Sequence, residues 1–487
     1  MAEPLAPLTL TPLTLAGLDP ARAVLVVEPC AQQANTLLDQ LAQLGLAPSQ
    51  LDWAPDAASA GRLCRERAYQ LLLCNDSLGD DQADGAQLLA TLCQEGWLAP
   101  DCVLVMMADD ASLARLRRLA ALELDGYLLK PVQPTVLAQR WPHWLARRQQ
   151  LAPIQALLGG GLLAEAEQQA AATLAQAPVD APGLRLLQAR IWMDQRQFDR
   201  AHNALLDLRG GPEGKRAQLA LAELAMRRRY YALADSWLTA LESDPLLGAQ
   251  ALALGAENAL REHKFVMARQ KLLHAISLTP CAVRHHWLLA CVELADGTLL
   301  AAHQALLQGL QLAPLGVSWA GQLLPLLAAL QLDMAAQAEP EAAPALLQQF
   351  QQQCGDWQQR VGQSAYRPMA LLLLGRFYCL QGSQQQAAFC LTQYQMVRQH
   401  QPGPRSPLEQ VERVKLLRLL GSPLADELLG QLNRRLAEAG EQVEHLAWRL
   451  YLARWCALNP VGPATDSPDR DGEICRPVFG NEVFDAS

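Results

Sequence analysis

No two cysteines are spaced C-x-x-C. The twelve stand singly, at Cys30, Cys64, Cys74, Cys93, Cys102, Cys281, Cys291, Cys354, Cys379, Cys390, Cys456 and Cys475. A zinc or thioredoxin-like site therefore has no support, and the cysteines read as small apolar residues of a reducing compartment. Basic charge is also in short supply. Forty Lys and Arg face 49 Asp and Glu, for a net charge of −9. With no basic stripe and no recognition-helix pattern, neither a general nucleic-acid binder nor a transcription factor is expected. Aromatics make up only 5%. The opening MAEPLAPLTL has no basic segment ahead of an apolar one, so no signal peptide is expected. The richest apolar stretch, Leu323 to Leu332, is interrupted by Pro325 and Gln331 and is too short to span a bilayer. A cytoplasmic protein without membrane insertion is the expectation.

Motifs for catalysis are missing as well. No Ser–His–Asp set stands in context, and no glycine-rich loop cradles a phosphate. Gly159–Gly161 has no strand before it and no lysine after it, so it reads as a turn between helices. His285–His286 lacks other ligands at metal spacing. The chain is expected not to be an enzyme and to hold no metal.

What is present is length and hydrophobic material. The 487 residues are 51% hydrophobic, dominated by Leu and Ala, which is too much chain for one core. Residues 1–20, rich in Pro and Leu, read as a flexible arm. From Ala21 the pattern becomes β-α alternation. Strands are expected at Ala23–Val27, Leu51–Trp53, Gln70–Cys74, Cys102–Met107 and Gly126–Leu129. Helices are expected around Leu37–Leu44, Ala58–Ala68, Gln87–Cys93, Ser112–Leu122 and from Pro134. Short apolar runs without alternation are strands buried on both faces, so residues 21–145 predict a doubly wound α/β domain with a five-stranded parallel sheet. Ligands of such sheets gather at the carboxyl ends of the strands. There stand Glu28 and Pro29, Asn75 and Asp76, Ala108 and Asp109, and Lys130 with Pro131.

The segments VLVVEP, YQLLLCNDSLG, the DG at Asp84–Gly85, VLVMMA and DGYLLKP resemble the receiver domain of bacterial response regulators. That resemblance implies two acids after the first strand holding magnesium, and a phosphoryl-accepting aspartate after the third. It also implies a hydroxyl residue after the fourth strand, a lysine after the fifth, and an aromatic that swings inward. Matched residue by residue, Lys130, Tyr127 and one acid, Glu28, are kept. Pro29 replaces the other acid, Asn75 the nucleophile and Ala108 the hydroxyl residue. An amide is a poor nucleophile, and magnesium prefers anionic oxygen. The resemblance thus implies a degenerate phospho-acceptor pocket with no cofactor, or at most weak Mg²⁺ binding at Glu28. Asp76, next to Asn75, is the alternative acceptor, although strand geometry points it the other way.

Past residue 146 the strand signal stops and a repeat begins. Alanine recurs at Ala166, Ala201, Ala234, Ala268 and Ala302, in steps of 35, 33, 34 and 34. Proline recurs at Pro178, Pro212, Pro245, Pro280 and Pro314, in steps of 34, 33, 35 and 34. A period of 34 is that of the tetratricopeptide repeat, a helical hairpin stacked into an all-α solenoid. The alanines permit close helix contact, with Ala189, Ala222, Ala256 and Ala290 opposite, and the prolines end the second helices. Repeats are expected over 146–315, irregular helix over 316–366, further helical repeats over 367–459 (Gly375, Tyr378 and Ala387 fit the pattern), and a disordered tail over 460–487. Pro142 puts the continuity of the helix from Pro134 in question.

The concave face of such a solenoid binds other proteins, and register places Arg190, Asp194, Glu223, Arg227, Glu257, Arg261, Arg284 and Trp287 near it. Two functions follow. The first is a signal-transduction adaptor whose receiver-like domain lacks the acceptor aspartate and whose repeats bind other signalling proteins. The second is a phosphorelay response regulator phosphorylated on Asp76, with the solenoid as output.

Overall fold

Five strands, β1 (Ala23–Val27), β2 (Leu51–Ala54), β3 (Tyr69–Asn75), β4 (Val103–Ala108) and β5 (Gly126–Leu129), pair in parallel in the computed structural model, in the order β2-β1-β3-β4-β5. This is the doubly wound order with its switch point between β1 and β3. The structure describes residues 15, 17, 19, 21–78, 85–120, 122, 124–176, 178–312, 317–360, 363–401, 403, 405–438 and 443–459. Most of the expected arm, Asp84, Pro314 and the expected tail lie outside the described residues.

Helices α1 (Ala31–Gln43), α2 (Ala57–Glu66), α3 (Gly85–Gln94) and α4 (Leu113–Ala120) connect the strands, and α5 (Pro134–Gly159) follows the last. Strand parity divides the core. Val24, Val26, Leu71, Leu73, Val105, Met107 and Leu128 pack with Leu37 and Leu41 of α1 and with Leu137, Trp141 and Trp144 of α5. The alternate residues Leu25, Leu72, Cys74, Leu104 and Met106 are as deeply buried on the other face. Both faces are covered, which is why these strands read as unbroken apolar runs. Gly126 is fixed by packing, since a Cβ there would come within 2.4 Å of the Trp144 ring.

The remaining helices run α6 (Leu163–Ala175), α7 (Ala181–Asp194), α8 (Phe198–Leu208), α9 (Gly214–Arg227), α10 (Tyr231–Thr239), α11 (Gly248–Arg261), α12 (Phe265–Leu278), α13 (Val283–Asp296), α14 (Leu299–Gln311), α15 (Val317–Gln337), α16 (Ala343–Arg360), α17 (Gln363–Leu380), α18 (Gln384–His400), α19 (Pro407–Leu419), α20 (Leu424–Glu438) and α21 (Val443–Leu458). The chain is thus an α/β domain followed by an all-α helical repeat array. The periodic alanines hold one structural position. Ala166, Ala201, Ala234, Ala268 and Ala302 are each the fourth residue of their helix and are completely buried, as is Ala387 in α18. No helix of the described residues is long and apolar enough to cross a membrane; Leu323–Leu332 is the buried interior of α15.

By contact the chain divides into two compact units, residues 1–252 with 278–281, and 253–277 with 282–487. In the first, α5 is shared. Its N-terminal half packs on the sheet, while Ile154 in its C-terminal half packs with Ala166, Ala170, Leu184 and Ile191 of the first repeats. The boundary expected at 145 falls inside this helix. The doubt raised by Pro142 is corrected: α5 runs through both Pro142 and Pro153. Proline deletes one hydrogen bond, but the buried Trp141 and Trp144 on either side anchor the helix to the sheet. Asp125, just before β5, joins the parts: it accepts from Arg147 Nη1 at 3.0 Å and Arg148 Nε at 2.9 Å, while Arg147 also reaches Asp180 at 3.2 Å. Asp180 in turn caps α7 through the Gly183 N–H.

In the second unit the segment expected to be irregular is a long hairpin, α15 with α16. Asp333 of α15 is the centre of a fully buried polar network. It pairs with Arg376 of α17 and with Lys415 of α19 at 2.8 Å, and accepts from Trp455 Nε1 at 2.9 Å and from the Tyr451 hydroxyl, both on α21. Glu412 completes it, pairing with Arg376 and with Lys415 at 3.0 Å. Two cations and two anions balance, the condition under which buried charge is tolerated.

Candidate functional site

Strand parity builds the site. Val26, Leu73 and Leu128 face the α1–α5 side of the sheet. Two residues further along each strand, on the same parity, stand Glu28, Asn75 and Lys130. These three come together. Lys130 Nζ lies 2.6 Å from Glu28 Oε2 and 2.9 Å from Gln33 Oε1 of α1. Glu28 Oε1 accepts from the Cys30 N–H at 3.2 Å and faces the Asn75 amide nitrogen at 3.5 Å, the outer limit of a hydrogen bond. The same nitrogen donates to the Ser77 carbonyl at 2.9 Å. Both neighbours are acceptors, so the NH₂ side of Asn75 faces them.

Asp76, Ala108 and Tyr127 have the opposite parity. The buried Asp76 carboxylate pairs with Arg115 Nε of α4 at 2.8 Å, and Arg115 also reaches Asp110 at 3.4 Å. The Asp76 N–H extends the ladder to the Met107 carbonyl, and the Lys130 N–H donates to the Ala108 carbonyl. Ala108 is itself buried, and the Tyr127 hydroxyl donates to the Asp110 carbonyl. Gly85 packs so tightly under the site that a Cβ would strike the Asn75 carbonyl at 2.0 Å. On the same side, Arg117 of α4 donates to the Pro245 carbonyl, in the turn between α10 and α11, at 2.5 Å.

Gln33 and Arg115 were missed by sequence reasoning. The parity of Asp76 turned its side chain away from the side of Asn75 and no further. Nothing in the sequence singled out Arg115 among the basic residues of that helix, or Gln33 in the first turn of α1.

The expected partner strip is distributed as follows. In the first unit Arg190 is exposed, Glu223 is half-buried, and Arg227 pairs with Asp194 at 2.8 Å, bridging successive repeats. In the second unit Arg284 pairs with Glu257 at 3.1 Å, and Arg261 is half-buried. Trp287 is a correction: it is core. It is 7% exposed, and its indole N–H donates to Glu444 Oε1 of α21 at 3.0 Å. Helix α21 packs along α13, which is buried over nearly its whole length.

No family model matches the chain, and no curated protein matches it. Solved structures do. A CheY-like response regulator receiver domain from Methanospirillum hungatei is 20% identical over 26% of this chain and 96% of its own, with a TM-score of 0.24. A response regulator from Burkholderia pseudomallei, solved with a phosphorylated aspartic acid, calcium and citrate, is 21% identical over 30% of this chain and 91% of its own, TM-score 0.22. A tetratricopeptide repeat protein from Parabacteroides merdae is 14% identical over 56% of this chain and 98% of its own, TM-score 0.35.

Proposed function

We propose that the chain is a signal-transduction adaptor whose receiver-like domain has lost its covalent switch and whose helical repeats bind other proteins. One observation carries the reading: Lys130 is neutralised by Glu28 at 2.6 Å, beside an Asn75 that turns its NH₂ group toward that carboxylate. Phosphoryl transfer depends on a positioned nucleophile and on cations available to the phosphate. Here an amide stands at the nucleophile's position, and the lysine already has a carboxylate as its counter-ion.

The donor set does not fit magnesium. Pro29 offers no side-chain oxygen, Asn75 presents nitrogen, and Glu28 is engaged by an ammonium. The alternative, phosphorylation of Asp76, is less well supported. Its carboxylate lies against Arg115, on the opposite strand parity from Lys130.

Titration calorimetry of the full chain with Mg²⁺ tests the pocket. The expected result is no saturable heat at millimolar metal. Saturable binding abolished by Glu28→Gln would overturn this part of the reading.

A further inference from the structure

Three runs of the second unit lack charge. Although 18% of the chain is charged, no Asp, Glu, Lys or Arg stands in residues 297–332, 342–355 or 377–397. Burial accounts for part of this, since Leu323–Leu332 is the interior of α15. It does not account for α14 and α18, whose exposed stripes are uncharged as well.

The helical period sorts each of these helices into two stripes. In α14, Ala302, Leu306 and Gly309 are buried, while Leu300, Gln304, Gln308 and Gln311 are exposed. In α18, Ala387, Cys390 and Tyr394 are buried, while Gln385, Phe389, Thr392, Met396 and Gln399 are exposed. Between them in the chain, α16 exposes Gln348 and Gln352. In α12 the exposed stripe is Val266, Gln270, Leu273 and Ser277. The two cations of α12 lie off it. Arg269 turns to Glu293 and Asp296 of α13, and a Cβ at Gly255 of α11 would meet the Lys271 stem at 3.0 Å.

Helices α12, α14, α16 and α18 are the second helices of successive repeats, and second helices share one layer of a stacked array. The next helix of that layer ends the patch, because α20 exposes Asp426, Glu427, Arg434 and Arg435. Within the patch Val266, Leu273, Leu300, Phe389 and Met396 are about half exposed or more. Charged side chains keep protein surfaces soluble and keep copies apart. A layer of glutamine and large apolar side chains without them reads as a surface that a partner covers.

Charge indicates the partner. Copies of a chain with net charge −9 repel one another, and at a two-fold axis each residue meets its own kind. A charge near such an axis faces a like charge, whereas these stripes carry none. Glutamine adds to the match, since its amide both donates and accepts and can pair with its own copy. A lipid surface would be met by Lys or Arg beside the apolar residues, and the stripes have neither.

We infer that the layer of α12, α14, α16 and α18 binds a second copy of this chain, with Leu300, Phe389 and Met396 as apolar anchors among the glutamines. The dimer forms through the repeat array and not through the receiver-like domain. It is independent of the state of the Glu28–Lys130 pocket.

The test is sedimentation equilibrium of the full chain. The parent should be a dimer whose dissociation constant is not raised by sodium chloride, as befits a contact without charge. Gln304→Glu/Gln385→Glu sets one carboxylate on each of α14 and α18 at nearly unchanged side-chain volume. It should weaken the dimer at least about tenfold at low salt, with recovery as salt is added. Phe389→Ser/Met396→Ser should weaken it at any salt concentration. All four positions are exposed, so both variants should keep the far-ultraviolet dichroism of the parent. A parent that stays monomeric at every concentration, a dimer that neither variant weakens, or uptake of the parent by phosphatidylcholine vesicles in place of dimer formation would each overturn the inference.

Discussion

The Lys130 ammonium lies 2.6 Å from the Glu28 carboxylate, although β5 and β1 are separated in the sheet by β4 and β3. The lysine side chain therefore spans the carboxyl edge of the sheet and neutralises an acid that is almost completely buried. Lys130→Met should strand that charge and destabilise the fold by about 2–3 kcal/mol, somewhat less than a fully buried pair because Lys130 retains some solvent access. Adding Glu28→Gln should recover a good part of the loss. Urea unfolding of the single and double variants measures both.

The Asp333 network makes a stronger demand. Asp333→Ala leaves Arg376 and Lys415 buried with Glu412 alone, and removes the acceptor for Tyr451 and Trp455. A loss of about 3–5 kcal/mol is expected, together with release of α21. Hydrogen exchange in α21 should rise more than in α14, which contributes none of the named residues of the network.

Much of this was legible in the sequence, for a physical reason. Strand parity is rigid, so placing VLVV, YQLLLC and GYLL in one parallel sheet already brings Glu28, Asn75 and Lys130 to one side. The alanine period was equally informative, because a close helix contact admits only a small side chain. The remainder depended on long-range packing. Trp287 reads as a groove residue until α21, more than 150 positions away, covers it. The choice of Arg115 for Asp76 depends on the rotation of α4 about its axis. The left-handed turns at Arg196, Arg229 and His263 were invisible because they lack the glycine that usually marks such turns.

Acid should weaken the second unit through its histidines. Burial, with His286 and Arg284 beside it, lowers the His285 pKa to about 4. Burial also lowers that of His303. The unfolded chain takes up these protons near pH 6.5, whereas folded His285 stays neutral until about pH 4. Stability from this group is therefore complete above pH 6.5 and falls as pH drops through the window, by up to about 3 kcal/mol. Urea midpoints at neutral pH and near pH 5 should differ less in His285→Gln than in the parent.

Gly297→Ala should be costly chiefly through its backbone, with the end of the flexible Arg454 side chain having to move aside as well. Its φ is +90°, and a Cβ would come within 2.7 Å of the Arg454 guanidinium. A loss of about 1–3 kcal/mol is expected by thermal unfolding. Gly161→Ala, where a Cβ meets open space at a φ of +74°, should cost less.

The proposed loss of the covalent switch predicts that neither Asn75 nor Asp76 accepts a phosphoryl group. Its most direct test is the intact mass of the full chain after incubation with acetyl phosphate and Mg²⁺, beside Asp76→Ala. Neither protein should gain mass. A stable gain of one phosphoryl group in the parent, lost in Asp76→Ala, would contradict it and place the acceptor at Asp76.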